Sequence, residues 1–296
     1  MTGFPKYLAV WREDIEARLA AALPTLPASH KVLEEAMAYS LLGGGKRVRA
    51  CFFLLMAKLF QLDLERAYPY ALALEMIHAY SLIHDDLPAM DDDDWRRGKA
   101  SSHKAFGEDM AILAGDALLN RAHELLITAA ANSPADAACA AFMAKAAGAC
   151  GMVGGQVIDV RQSSAEKSET LLLEMIDLKT GALFQSAIYA PALLAERCAE
   201  EQQLAWDLAV HLGRVFQFQD DLLDSDPGAE KLGKSRGKDI RDHKLTALSI
   251  YGKERLSSLL RDYQEKIEQI INEFVTRNME AKELREFCEL LWQRRY

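Results

Sequence analysis

The sequence predicts a nearly all-α protein, and three observations lead to this fold class. Apolar residues recur at the three- and four-residue spacing of helices along almost the whole chain. Runs of β-branched residues with two-residue alternation are scarce. Clusters of turn-forming residues, such as Asn132-Ser133-Pro134 and Asp226-Pro227-Gly228, divide the chain into segments of helical length. We therefore expect helices packed on helices.

The segments between these breaks define the expected elements. The predicted helices span 5–22, 30–42, 46–60, 64–87, 109–132, 136–160, 168–196, 199–223, 239–252, 254–276 and 279–293.

Two of these helices, 70–87 within its segment and 204–223, are apolar on most of their circumference and should lie in the middle of the bundle. Each ends in a group of aspartates and leads into a polar, glycine-containing segment, 92–108 or 225–238. Because each polar segment directly follows an aspartate cluster, neither has the character of an interdomain linker. The sequence predicts one domain over residues 1–296.

Composition limits the classes of partner. Of the 296 residues, 50% are apolar, so the chain can bury a large core. A formal charge of −9 and a pI of about 5.4 give no general footprint for nucleic acid or for an anionic membrane. Any anionic ligand must therefore meet a local basic cluster.

The cysteines and the N-terminus favour a cytoplasmic protein. The five cysteines are scattered, odd in number and without CxxC spacing, so we expect neither a disulfide framework nor a zinc site. Charged residues interrupt the N-terminal stretch where a signal peptide would need an apolar core. The most apolar run, 50–57, is far shorter than the roughly 20 residues that cross a bilayer, so no stable membrane association is expected.

Two aspartate clusters carry the strongest functional signal. Asp220 and Asp224 are four residues apart, which places both carboxylates on one face of a helix. In the first cluster, Asp85 and Asp91 would point about 120° apart on a regular helix. Pro88 should break that helix and let Asp91 turn back toward Asp85.

Asp91 through Asp94 form four successive acids, whose mutual repulsion favours a bound cation. Magnesium suits such a site, because it takes one or two carboxylates together with ligand phosphates. The alternative, a solvated acidic helix end, is weakened by the occurrence of two clusters that each close a buried helix. The pattern predicts a Mg²⁺-dependent enzyme that acts on diphosphates.

Basic groups near the clusters are candidates for holding those diphosphates. A glycine-rich turn, 43–45, leads into Lys46 and Arg49, and its backbone N–H groups with the helix dipole favour an anion. The order of residues differs from a P-loop, so a nucleotide is not implied. Arg96 and Arg97 offer guanidinium forks suited to phosphate. Incidental surface charge is the alternative interpretation for both groups.

Further candidates lie on the central helices and the second loop. His78 is two helical turns before Asp85, where a buried structural histidine is the simpler interpretation. Lys179-Thr180-Gly181 should kink its helix and free backbone carbonyls. Lys234 and Lys238 of the second loop, with Lys244 on the next predicted helix, can cover the same anion. No Ser-His-Asp or Cys-His set stands out, so nucleophilic catalysis is not favoured.

These motifs together resemble the short-chain trans-prenyltransferases, and specifically the bacterial farnesyl diphosphate synthases. The resemblance rests on GGGKRVR (43–49), EMIHAYSLIHDDLPAMDDDDWRRGK (75–99), KTGALF (179–184), FQFQDDLLD (216–224) and GKSRGKDIRDHK (233–244). It implies an all-α isoprenoid synthase fold, a single large bundle around a central cavity, and a homodimer. The implied reaction adds isopentenyl diphosphate to dimethylallyl and then geranyl diphosphate, giving (2E,6E)-farnesyl diphosphate.

The resemblance also implies residue roles. Asp85, Asp91 and Asp220 would be ligands of three Mg²⁺ ions, with Asp86, Asp221 and Asp224 in support. The isopentenyl diphosphate pocket would comprise Lys46, Arg49, His78 and Arg97. The allylic diphosphate would contact Arg96, Lys179, Thr180, Gln217, Lys234 and Lys244, of which Lys179, Thr180 and Gln217 would act catalytically beside the forming cation. The basic tail that often closes this family's pocket would correspond to 293–296, whose final Tyr296 departs from that pattern.

Product length should be set below the first cluster. Tyr80 lies five residues before Asp85, or about 7.5 Å lower on the helix. A bulky Tyr80 followed by the small Ser81 resembles the farnesyl pattern, whereas an ordinary packing role for Tyr80 is the alternative.

Three other functions stay open at this point. A geranylgeranyl diphosphate synthase of the same family differs only in product length. A catalytically silent subunit of a heteromeric prenyltransferase would lack acids of the clusters, which are all present here. A terpene cyclase or Mg²⁺ diphosphatase would lack the second basic clamp of Lys46, Arg49 and Arg97.

Overall fold

The computed structural model describes residues 6–161, 168–224 and 245–292, and these residues form a bundle of helices. The first half contains α1 (Lys6–Ala22), α2 (Lys31–Leu41), α3 (Val48–Leu59), α4 (Leu64–Asp85), β1 (Trp95–Arg96), β2 (Lys99–Ala100), α5 (Ser102–Phe106) and α6 (Glu108–Ala130). The second half contains α7 (Pro134–Ala147), α8 (Met152–Arg161), α9 (Glu169–Ile176), α10 (Ala182–Ile188), α11 (Ala190–Leu194), α12 (Ala199–Asp224), α13 (Ala247–Thr276) and α14 (Lys282–Trp292). The predicted all-α class is confirmed.

The centre of the bundle is built from α3 and α4. Every residue from Ala50 to Ala57 in α3 is buried, as is every residue from Tyr70 to Ile77 in α4. Asp63 starts α4 by accepting a hydrogen bond from the backbone N–H of Glu65. The predicted central position of helix 70–87 is confirmed, while α12 buries one face fully and most of the rest partly.

The predicted helix 136–160 is wrong in its continuity. The chain breaks between α7 and α8 at Gly148–Gly151, where a side chain on Gly151 would overlap the carbonyl of Ala146. Without that break, Pro134–Arg161 is long and apolar enough, by composition alone, to cross a membrane, but part of it is buried within the bundle. The glycines therefore interrupt the helix, and Gly155 packs against the backbone of Lys179.

The predicted kink within helix 168–196 is confirmed. Residues Asp177–Gly181 form a π-turn between α9 and α10. Such turns leave backbone carbonyls off the regular ladder and occur often at functional sites. Further along, Gly252 adopts φ +71° and bends α13 near the predicted junction at 252–254. The start of the predicted helix 239–252 lies outside the described residues; within them, residues 245 and 246 are not helical, contrary to the prediction, and α13 begins at Ala247 behind the cap of Thr246.

A short hairpin and helix α5 replace part of the predicted loop 92–108. Strands β1 and β2 pair antiparallel through a two-residue turn at Arg97-Gly98. Both turn residues have positive φ, +54° and +75°, as a type I′ turn requires. The hairpin gives Arg96 and Arg97 different partners, Asp86 for Arg96 and the carbonyl of Gly44 for Arg97.

Candidate functional site

The first aspartate cluster sits at the end of α4, where the helix stops at Asp85 and the chain turns back. The backbone N–H of Asp91 donates to the carbonyl of Asp85 at 2.8 Å. This contact brings the two acids together, as predicted from the break at Pro88.

The charge of Asp85 is costly without a cation. Removal from water raises the pKa of Asp85 to about 6; Lys179 opposes this shift, and the negative charge of Asp91 adds to it. Two carboxylates that repel each other where water has limited access form a donor set suited to a hard divalent cation. Asp85 and Asp91 therefore fit the predicted Mg²⁺ role.

Asp86 has a different function. It is 2% exposed, and both of its oxygens accept hydrogen bonds from Nε of Arg96 at 3.1 Å. A second nitrogen of Arg96 also contacts Asp86, and Asp93 lies 3.6 Å from the same nitrogen. This pair fixes the segment after α4 onto β1. The predicted supporting role of Asp86 fits this geometry, and Arg96 meets an aspartate at the edge of the site.

The glycine-rich turn and Arg97 meet directly. Arg97 donates a hydrogen bond to the carbonyl of Gly44. Gly45 has φ +135°, and a side chain there would approach the Arg97 guanidinium to 3.1 Å. Helix α3 begins at Val48, so Lys46 precedes it and the predicted helix start at 46 is wrong. Arg97 thus lies against the glycine-rich turn that leads into Lys46 and the start of α3.

Arg49 lies over two aromatic rings. Its guanidinium carbon is 5.5 Å from the ring centre of Phe184 and 6.0 Å from that of Phe216, and these rings pack together at 5.3 Å. Cation–π contact of this kind holds a guanidinium in place without neutralising its charge. The two rings therefore fix the position of the Arg49 side chain at the start of α3.

His78 faces the same basic group. Burial lowers the pKa of His78 well below its ordinary value, and the nearby charges of Arg49 and Arg97 lower it further. Removal from water also lowers the pKa of Arg97, with Arg47 acting in the same direction. A neutral histidine among guanidinium groups is a neutral hydrogen-bonding partner for an anion. The predicted isopentenyl diphosphate residues Lys46, Arg49, His78 and Arg97 come from one region of the fold.

The π-helical turn Asp177–Gly181 carries two further predicted site residues, Lys179 and Thr180. Lys179 donates to Asp159 of α8 at 2.5 Å. A side chain on Gly155 would overlap the backbone of Lys179, so only glycine lets α8 approach the turn this closely. Bidentate bonds from Arg214 of α12 to Asp177 anchor the start of the same turn at 2.8 and 2.6 Å.

A hydrogen-bonded chain links the π-turn to the second cluster. Thr180 donates to the side-chain carbonyl of Gln217 at 3.0 Å, and the Gln217 amide donates to Asp221 at 3.0 Å. The other oxygen of Asp221 accepts from the backbone N–H of Ala247 at 2.6 Å. Thr180 and Gln217, both predicted to lie beside the cation, are thus oriented by Asp221, a contact that its predicted support of Asp220 did not include.

The three predicted metal ligands do not form one compact group. Among the described residues, Asp92, Asp94 and His103 have ligand atoms within 4.8 Å of one another, but Asp85, Asp91 and Asp220 are not gathered at that spacing. The two clusters instead close α4 and α12. Lys234, Lys238, Lys244 and the tail 293–296 lie outside the described residues, so their roles stay predictions.

Two polar residues of α8 were missed from the sequence. Asp159 pairs with Lys179, and its charge also raises the pKa of Asp85. The side-chain nitrogen of Gln156 is buried without a hydrogen-bond partner in the described residues. The pair stands three residues apart, on one face of a helix, just after Gly154-Gly155. That spacing was the available signal.

Comparison with known proteins identifies the class. The chain is 31% identical to the geranyltransferase of Legionella pneumophila, with a TM-score of 0.85 over 98% of this chain and 97% of the other. The apo FPP/GFPP synthase of Zymomonas mobilis gives 31% identity and a TM-score of 0.83 over 96% of each chain. The bundle has the isoprenoid synthase fold of prenyltransferases.

Residues 30–290 match the family model described as polyprenyl synthetase, and the chain belongs to this family. It is 44% identical over 253 residues to the geranylgeranyl diphosphate synthase of Cyanophora paradoxa, covering 84% of this chain and 83% of that one. The farnesyl diphosphate synthase of Geobacillus stearothermophilus is 40% identical over 263 residues, covering 85% and 87%. The chain is a short-chain prenyltransferase of isoprenoid biosynthesis, and the resemblance drawn from its motifs is confirmed.

Proposed function

We propose that the chain is a farnesyl diphosphate synthase, which condenses isopentenyl diphosphate with dimethylallyl and then geranyl diphosphate. The observation that carries the product length is the position of Tyr80. The side chain is 6% exposed, and its ring packs edge-on against His84 at 5.7 Å. Burial and the charge of Asp85 raise the pKa of its hydroxyl to about 12, which fits a ring lying just below the first cluster.

His84 packs between the Tyr80 ring and helix α6. Its Nε2 lies 3.2 Å from the carbonyl of Ile112 in α6, and a side chain on Gly115 would overlap the imidazole. Because α6 backs His84 closely, Tyr80 has little room to swing away. Such a ring is a firm barrier to a growing prenyl chain.

The residues of this chain then have distinct roles in the condensation. Lys46, Arg49 and Arg97 bind the diphosphate of isopentenyl diphosphate and hold its double bond near the allylic carbon. Lys179 stabilises the negative charge that develops on the leaving diphosphate. The side-chain oxygens of Thr180 and Gln217 face the forming cation. The surrounding wall excludes water, which would otherwise capture the cation.

We further propose that Asp85, Asp91 and Asp220 hold Mg²⁺, with three ions in each site. Enzymes of this family depend on Mg²⁺ in general. Bound Mg²⁺ supplies charge that stabilises pyrophosphate as a leaving group. The raised pKa of Asp85 supports the proposal, because it marks a carboxylate whose ionised form needs a positive partner.

The direct test is incubation of the purified protein with Mg²⁺, isopentenyl diphosphate and each allylic diphosphate in turn, followed by chromatography of the products. A dominant C15 product from dimethylallyl and geranyl diphosphate supports the proposal. The absence of condensation with any allylic substrate would refute the enzyme assignment itself.

A geranylgeranyl diphosphate synthase is the second candidate. Its support is the 44% identity to the Cyanophora paradoxa protein of that name. This candidate predicts a dominant C20 product and efficient use of farnesyl diphosphate as the allylic substrate. The two functions therefore differ in one chromatogram.

We also propose a cytoplasmic homodimer. Support for self-association comes from α6, where Ile112, Leu113 and Ile127 are 44%, 50% and 71% exposed. Light scattering after gel filtration tests it, since a mass near twice 33.0 kDa is expected and a monomer contradicts the proposal. The cytoplasmic location rests on the scattered cysteines and is tested by cell fractionation.

A further inference from the structure

Arg47 stands between the two predicted phosphate-binding residues of the glycine-rich turn, but its side chain points into the protein. It is 3% exposed, whereas Lys46 before it is exposed and Arg49 after it is half-buried. A fully buried guanidinium needs several matched acceptors to offset the loss of water. The acceptors around Arg47 come from three separate parts of the fold.

The first set of acceptors belongs to α1. Nε of Arg47 donates to one oxygen of Glu16 at 2.7 Å, and Nη2 donates to the other oxygen at 2.8 Å. This two-bond fork requires the planar guanidinium, which a lysine ammonium cannot reproduce. The carboxylate of Glu16 is 29% exposed, so the network reaches the surface only at this residue.

The remaining acceptors belong to α2 and α4. Nη2 also donates to the carbonyl of Leu41 at 2.6 Å, and Nη1 donates to Glu75 at 3.3 Å. Glu75 is 3% exposed and accepts a second bond, from the backbone N–H of Ala50, at 3.1 Å. One side chain thus ties the end of α2, the first turn of α3 and the middle of α4 to α1.

The backbone at Arg47 is strained. As the residue before α3 it has φ +49° and ψ 38°, a left-handed conformation that side chains other than glycine rarely adopt. Such conformations persist where the surroundings over-determine them, and they cluster at ligand clamps. Here the side-chain network supplies that constraint. The conformation in turn sets the direction in which the chain leaves Gly45 and enters α3.

We infer that Arg47, held by Glu16 and Glu75, is a positioning residue that fixes Lys46 and Arg49 in the geometry that binds isopentenyl diphosphate. The inference rests on the proposed function of the turn. It assigns to α1, which lies outside the region matched by the family model, a part in the affinity for one of the two substrates.

The chain offers a matched control for this inference. Arg18 also ties α1 to α4, through two bonds to Glu65 at 2.9 and 2.6 Å, and it also contacts Asp14 at 3.0 Å. It lies far from the glycine-rich turn in the sequence and contacts no residue of it among its hydrogen bonds. Arg18→Lys therefore removes a more exposed α1–α4 contact of the same chemical type without touching the turn.

The test measures KM for isopentenyl diphosphate and for geranyl diphosphate, together with kcat, in Arg47→Lys and Arg18→Lys. For Arg47→Lys we expect KM for isopentenyl diphosphate to rise about 10-fold or more, while kcat and KM for geranyl diphosphate change less than about 3-fold. Arg18→Lys should leave all three constants near those of the wild type. Far-UV circular dichroism and thermal unfolding report whether each variant is folded.

Glu16→Gln serves as the second variant, because it keeps Arg47 and replaces a partly exposed group. It should raise KM for isopentenyl diphosphate selectively, by about 3-fold or more. If Arg47→Lys does not fold, this variant alone tests the positioning role of Arg47. Equal rises in both KM values, or no change relative to Arg18→Lys, would overturn the inference. A wild-type protein that does not condense isopentenyl diphosphate would instead overturn the proposed function.

Discussion

Replacing Tyr80 by alanine tests the proposed product length most directly. The change removes the aromatic ring and hydroxyl that lie about 7.5 Å below Asp85 along α4, measured from the helical rise. The removed group is larger than a five-carbon unit, so the space it leaves can accept one more unit of the chain. We expect the main product to shift from C15 to C20.

The size of the shift follows from the packing around the ring. His84 at 5.7 Å and the α6 backbone behind it restrict movement of Tyr80, so a C20 chain must overlap the ring. Forcing extra methylenes into a packed site costs about 1–3 kcal/mol. Removing that penalty should raise the ratio of C20 to C15 product roughly 5- to 150-fold, since each 1.4 kcal/mol is about tenfold.

The same substitution also weakens the fold. Truncating a buried aromatic side chain costs about 3–5 kcal/mol, and a loss near 3 kcal/mol lowers Tm by roughly 6–12 °C. Assays at 20–25 °C, well below the expected midpoint, keep the variant folded. If Tyr80 is only a packing residue, the fall in Tm occurs without any change in product.

The assay is radiometric or mass-spectrometric analysis of products formed from geranyl diphosphate and isopentenyl diphosphate. Tyr80→Phe keeps the ring and should still give C15. Ser81→Ala is the neighbouring control, because the Ser81 hydroxyl donates to the carbonyl of His78 at 3.0 Å and is not needed as a barrier. A folded Tyr80→Ala variant that still makes only C15 would refute the reasoning.

Three further predictions separate catalysis, stability and metal dependence. Asp85→Asn should lower kcat by about 100-fold or more, because it removes a proposed metal ligand. Its Tm should stay equal or rise, because a partly buried charge is lost. Asp86→Asn should instead lower the free energy of unfolding by about 3 kcal/mol, because it leaves Arg96 without its buried partner. The opposite pattern would contradict the roles given to the two acids. In Asp136, burial favours a higher pKa, but hydrogen bonds from Arg66 and other donors outweigh it and lower the pKa. The stabilisation by ionised Asp136 is therefore fully present above about pH 4 and is lost as the pH falls through the depressed pKa. In urea titrations, Asp136→Asn should have a free energy of unfolding about 2 kcal/mol below that of the wild type at pH 7, and this difference should shrink below about pH 4. A difference independent of pH would be inconsistent with this origin. Chelation with EDTA should abolish condensation and excess Mg²⁺ should restore it, whereas full activity in EDTA would exclude a metal role.

Much of the fold was predictable because the helices are long and their apolar spacing is regular. α1, α4 and α6 begin and end within a few residues of their predicted bounds. The hairpin at 95–100 was missed because each strand has two residues, too few for alternation to register. Its turn, Arg97-Gly98, carried the available signal, a residue followed by glycine between short extended pairs.

The break between α7 and α8 was missed for a different reason. A glycine within an apolar stretch costs a helix only about 1 kcal/mol, so Gly148 and Gly151 did not outweigh the helical pattern around them. What decides the break is tertiary: α8 must turn so that Gly155 can pack on Lys179. That contact depends on a segment more than twenty residues away, which local spacing does not encode.

The site shows the same division between local and long-range information. Spacing alone placed Asp85 and Asp91 together across the break at Pro88, because the carbonyl and N–H involved belong to one turn. The partners of the basic residues were not accessible in this way. Arg96 and Asp86 are ten residues apart, on β1 and at the end of α4, and Lys179 and Asp159 lie on different helical segments.

The adjacent acids of each cluster are therefore not equivalent, although their sequence makes them look so. Asp86 is bound on both oxygens by Arg96, and Asp221 is bound by Gln217 and by the backbone of Ala247. A carboxylate that accepts hydrogen bonds on both oxygens is poorly suited to bind a cation, because cation binding would leave one of its hydrogen-bond donors unsatisfied. In each cluster one acid thus holds its segment in place, and its neighbour, Asp85 or Asp220, is the proposed Mg²⁺ ligand. A positioning acid directly beside a metal ligand is thus the arrangement that we propose for both clusters.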